Sequence, residues 1–79
     1  MTTTNIHGYP IEHEDNDSII DAGIYYLQYI LSYEEVSSLC ENARLSGQIK
    51  FEDRSGNNFV LIHIGGGCFR LEKRSDSGW

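Results

Sequence analysis

The chain has 79 residues, of which 39% are hydrophobic, and a formal net charge of −6 at pH 7. That length makes one domain with a small core and a stability of only a few kcal/mol, and the apolar share excludes wholesale disorder. The charge disfavours direct contact with nucleic acid or an anionic membrane, since both repel a net negative surface.

The charge is also divided along the chain. Residues 1–43 carry eight carboxylates (Glu12, Glu14, Asp15, Asp17, Asp21, Glu34, Glu35, Glu41) and no Lys or Arg. Residues 44–79 carry four acids against six bases. The acidic half fits a basic partner protein, and acidity for solubility alone is the plainer reading.

Residues 1–10 hold three threonines, Asn5, Gly8 and the only proline, Pro10. They read as a flexible lead-in, because nothing in them ties the terminus down. They also lack the basic start and apolar run of a secretory signal, which points to a cytoplasmic protein. In that compartment Cys40 and Cys68 are expected as reduced thiols. A single α+β domain is expected over 11–74, with 75–79 as a loose tail ending in Trp79.

The stretch IEHEDND, residues 11–17, holds four carboxylates. His7, Glu12, His13, Glu14, Asp15 and Asp17 are all metal-ligand types. Their spacing fits neither a helical zinc pair nor a calcium loop, which needs Asp or Asn where Ile19 stands and Gly where Ile20 stands. The stretch therefore reads as a solvated acidic loop, and no metal or cofactor is expected.

Residues 21–31, DAGIYYLQYIL, fit two patterns. A strand is favoured, because β-branched and aromatic residues dominate and Gly23 would fall inside a helix. The alternative is a helix with a stripe of Ile20, Ile24, Leu27 and Leu31, capped by Asp17 or Ser18. Either way the run is interrupted by Gln28 and is too short to cross a bilayer.

The next segment predicts a helix over 33–45. Ser32 and Glu35 form a capping box, Glu34 and Glu35 sit in the first turn, and Val36, Leu39, Cys40 and Ala43 share a face. Gly47 stands where the helix should end.

The rest reads as a β-meander. Residues 48–53 alternate, with Ile49 and Phe51 on one face. Residues 54–57 form a turn. Residues 58–64 are apolar enough for a central strand covered on both faces. Gly65–Gly67 turn the chain into a last strand, 68–73, with Phe69 and Leu71 inward. The fold class is thus a small α+β domain: one helix on a three- to four-stranded antiparallel sheet, ordered β-α-β-β-β, or α-α-β-β-β if 21–31 is helical.

Catalytic signals are weak. Cys40 lies on the apolar helix face, His63 alternates with Phe59 and Leu61 in a strand, and nothing ties Cys68 to His63. The glycines at 65–67 precede a strand, so they are no phosphate cradle. No catalytic residue is assigned. The tyrosines say more: Tyr25, Tyr26, Tyr29 and Tyr33 fall within nine residues, and tyrosine favours binding surfaces.

The functional reading is a small inhibitor-like binding protein. An acidic, tyrosine-rich face, built from Glu12, Glu14, Asp15, Asp17, Asp21, Tyr25, Tyr29, Glu34 and Glu35, would mimic nucleic acid to a basic partner such as a nuclease or a defence complex. The alternative is a non-enzymatic assembly module acting as a homodimer through an exposed sheet edge.

Overall fold

A computed structural model describes residues 1–74 as a two-layer α+β domain, two helices on one face of a five-stranded mixed sheet. The chain runs β1 (Thr2–Ile6), β2 (Tyr9–His13), α1 (Ser18–Tyr25), a π-helical turn (Tyr26–Ile30), α2 (Tyr33–Ser46), β3 (Gln48–Glu52), β4 (Asn58–Gly65) and β5 (Cys68–Lys73). The strand order is β1-β2-β5-β4-β3. All neighbours are antiparallel except β2 and β5, which run parallel through Ile11↔Phe69 and Glu12↔Arg70.

The N-terminal ten residues are not a flexible lead-in. Thr2–Ile6 and Tyr9–His13 form a hairpin closed by the two-residue turn His7-Gly8, whose φ angles of 51° and 91° suit the twist of adjoining strands. Ile6 and Ile11 are fully buried, which anchors the hairpin to the core. The start of the acidic stretch is therefore strand, and only 14–17 connects to α1. The hairpin adds two strands, one of them parallel to β5, so the antiparallel sheet of three or four strands becomes a mixed sheet of five.

Residues 18–30 are helical, which overturns the favoured strand. Asp17 caps α1, its carboxylate accepting the N–H groups of Ile19 and Ile20 at 3.0 and 3.3 Å. The stripe Ile20, Ile24, Leu27 is buried. Gly23, which argued against a helix, is there because α1 rides close on the sheet. A Cβ at this position would lie 2.7 Å from Phe59 Cε1 and 3.2 Å from Leu71 Cδ2. The π turn ends where Leu31 N–H donates to Tyr26 C=O at 2.9 Å, a five-residue span.

The α2 helix follows its sequence signals. Ser32 Oγ accepts Glu35 N–H while Glu35 returns a bond to Ser32 N–H, and the helix stops at Gly47. Val36, Cys40 and Ala43 are buried, and Leu39 is partly so.

The β-meander of β3, β4 and β5 is as expected. The triple glycine makes its second turn, with φ of 96°, 61° and 76° at Gly65, Gly66 and Gly67. Three successive left-handed residues are the reason for three glycines. One expectation fails for β4. Only its Phe59–Leu61 face is covered. Val60 and Ile62 are half-buried on the open face, and Ile64, at a bulge, is 42% exposed. The tail from 75 onward, with Trp79, lies outside the described residues.

Candidate interaction surface

The acidic stretch is split up by the fold. Glu12 points to the open face of the sheet, where Arg70 Nη2 donates to it at 3.2 Å and Arg70 also approaches Glu72 at 3.7 Å. Asp15 accepts from the Thr2 hydroxyl and lies 3.3 Å from the terminal ammonium. Both contacts, the hydroxyl first, hold its carboxyl below the ordinary aspartate range. Asp17 caps α1 and meets Lys73 Nζ at 2.9 Å. The lysine, followed by the Ile20 N–H, likewise depresses its pKa. Three of the four carboxylates thus hold elements together, and Glu14 remains simply exposed.

His13 is 7% exposed. Its Nδ1 lies 3.1 Å from the Glu14 carbonyl, which can only accept, so Nδ1 carries the hydrogen; Nε2 faces the Thr4 hydroxyl at 2.8 Å. The ring bridges β1 and β2. Among the described residues no three His, Cys, Asp or Glu side chains converge as metal ligands.

The other predicted site residues gather on the helical layer. Asp17, Asp21, Tyr25 and Tyr29 recur at four-residue spacing along the outside of α1 and its π extension. Tyr25 and Tyr29 are 57% and 66% exposed, with ring centroids 5.0 Å apart. Tyr33, also 57% exposed, meets the His7 ring edge-on at 6.2 Å, beside Glu34 and Glu35 in the first turn of α2. Between residues 18 and 46 there are four carboxylates against one guanidinium, and that one, Arg44, is paired with Glu41. Asp21, Tyr25, Tyr29, Glu34 and Glu35 all belong to the helical layer. Glu12 belongs to the opposite face.

Tyr26 behaves differently from its neighbours. It is half-buried and stacks on Phe51 at 6.4 Å, and Phe51 stacks on Phe59 at 5.5 Å. Tyr26, Leu31, Leu39 and Phe51 line an apolar groove of about 300 Å³ between α2 and β3, with Glu35 and Glu52 at its rim. Sequence reading missed this groove, because its walls come from three separate elements. A second cleft of about 400 Å³ lies between Tyr25, Tyr26 and the Asp53–Ser55 turn.

The nucleophile candidates sit in different settings. Cys40 is buried, and burial pushes its thiol up to about 11, which keeps it protonated and unreactive. Cys68 is half-buried beside the glycine turn, its Sγ 3.9 Å from the Gly66 carbonyl. His63 packs against the Phe69 ring at 5.3 Å. No helix among the described residues is long and apolar enough to cross a membrane. Comparison with protein-family models, with curated proteins and with solved structures finds no match for this chain.

Proposed function

We propose that the protein acts by binding, not catalysis, and that its helical layer docks on a basic surface of another protein. The partner class is a nucleic-acid-handling protein, such as a nuclease, whose phosphate-binding surface the carboxylates occupy. One observation carries this reading: Tyr25, Tyr29 and Tyr33 are each more than half exposed on a layer whose charge is acidic. Three large, largely exposed aromatic side chains on one layer suit a docking surface, which uses them as rigid anchors. Carboxylates around such anchors steer a basic partner at long range and set the register of the complex.

The weight falls on Asp21, Tyr25, Tyr29, Glu34 and Glu35. Glu12, Asp15 and Asp17 are already engaged by Arg70, the terminal ammonium and Lys73, so they have less charge to offer. The test is capture from host lysate at low and high salt, using the wild type, Tyr25→Ser/Tyr29→Ser and Asp21→Lys/Glu34→Lys. Both variants change exposed side chains only. The expected result is a basic protein retained by the wild type at low salt and lost with both variants. Retention of the same proteins by all three chains would overturn the reading.

A further inference from the structure

The β3 strand forms one edge of the sheet, and its outer side has no partner strand among the described residues. The phase of the β3–β4 ladder fixes which groups that edge offers. His63 N–H donates to Gly47 C=O at 2.9 Å, and Asp53 N–H donates to Asn57 C=O at 3.0 Å. Bonded pairs alternate along an antiparallel ladder, so Ile49 and Phe51 exchange their bonds with Leu61 and Phe59. Gln48, Lys50 and Glu52 therefore point their N–H and C=O groups outward, away from the sheet.

We propose that this edge pairs with the same edge of a second copy of the chain, antiparallel, with Phe51 of each copy facing the other across the two-fold axis. Charge and register together select this arrangement. Only registers that place outward-pointing residues opposite one another form bonds. Placing Lys50 opposite Lys50, or Glu52 opposite Glu52, sets like charges directly across, which is destabilising. Placing Lys50 opposite Gln48 brings Glu52 against Ser46, where the other copy is still α2. Placing Lys50 opposite Glu52 makes two identical ion pairs and two bonded pairs at once.

A lone lysine on an edge strand ordinarily prevents such pairing. Here Glu52, two residues on, complements it across the two-fold axis in the register that sets Phe51 opposite Phe51. The same register sets Phe51 beside Phe51 on the helix side, at the mouth of the groove lined by Tyr26, Leu31 and Leu39. Pairing thus covers apolar surface as well as backbone. The pairing uses neither Tyr25 nor Tyr29, and its test reads self-association of the chain alone, so this inference and the docking role stand or fall separately.

The experiment is sedimentation velocity of the full chain at low ionic strength, from micromolar to hundreds of micromolar, with far-UV circular dichroism to confirm folding. Lys50 and Glu52 are both exposed, so Lys50→Glu and the swap Lys50→Glu/Glu52→Lys leave the monomer's packing untouched. The wild type is expected to show a concentration-dependent dimer. Lys50→Glu should weaken it about tenfold, because both symmetric pairs become repulsive, and the swap should restore it. A wild type that stays monomeric throughout, a dimer indifferent to Lys50→Glu, or a swap that fails to restore it would each overturn the proposal.

Discussion

Gly23 shows how one missing methyl sets the distance between two layers. In an isolated helix, Gly→Ala stabilises by about 1 kcal/mol. Here the new Cβ would stand 2.7 and 2.8 Å from Cε1 and Cζ of Phe59. That ring is fully buried and stacked on Phe51, so it has nowhere to retreat. Overpacking of this kind costs about 1–3 kcal/mol, which outweighs the propensity gain. Gly23→Ala is therefore expected to lower stability by about 1–2 kcal/mol, read as a lower denaturant midpoint at unchanged slope. A higher midpoint would mean that α1 can lift off the sheet, and that the close approach is not what requires glycine.

At the scale of elements, Asp17 joins the start of α1 to the end of β5 through Lys73. Its folded pKa is depressed, so its contribution is present above the ordinary aspartate value and is lost as pH falls through the folded value. Asn caps a helix about as well as Asp but carries no charge. Asp17→Asn should therefore be less stable than the wild type at pH 7, and the difference should shrink toward zero below about pH 4. Thermal denaturation of the two chains between neutral and acid pH measures this. A constant gap would assign the loss to the cap and not to the ion pair. What the sequence discloses at this scale follows from where each signal resides. The α2 helix was legible because its signals are local: Ser32, Glu35 and Gly47 act on their own backbone. The meander was legible because alternation and turn chemistry are local too. In contrast, α1 is not legible locally, because the reason for Gly23 is Phe59, 36 positions away in the chain. The hairpin of β1 and β2 had a readable signal in the pair His7-Gly8 between β-branched and alternating runs, and terminal position masked it. The split of the acidic stretch was not legible, since Arg70 and Lys73 reach it only through the folded sheet.

For the whole molecule, the consequence of that hairpin is large. The parallel contact of β2 with β5 joins residues 58 positions apart through Ile11↔Phe69 and Glu12↔Arg70. A flexible lead-in would be dispensable. In the structure, deleting residues 1–8 removes the whole of β1, takes away the buried Ile6, breaks the Asp15 contacts with Thr2 and the terminal ammonium, and leaves β2 as a bare edge. Burial of Ile6 alone is worth about 1.5–3 kcal/mol, comparable with the total stability of so small a domain. The truncated chain is thus expected to lose its cooperative thermal transition, or to melt far below the full chain. Ile6→Ala separates side chain from strand: it should cost about 2–4 kcal/mol while keeping the β1–β2 ladder. A truncated chain that melts with the full-length one would mean that the core closes without β1, with Ile11 and Phe69 sealing it on their own. A deletion much worse than Ile6→Ala would place the remaining stabilisation in the ladder itself, because β1 is what gives β2 a second neighbour and keeps the parallel contact with β5 from fraying.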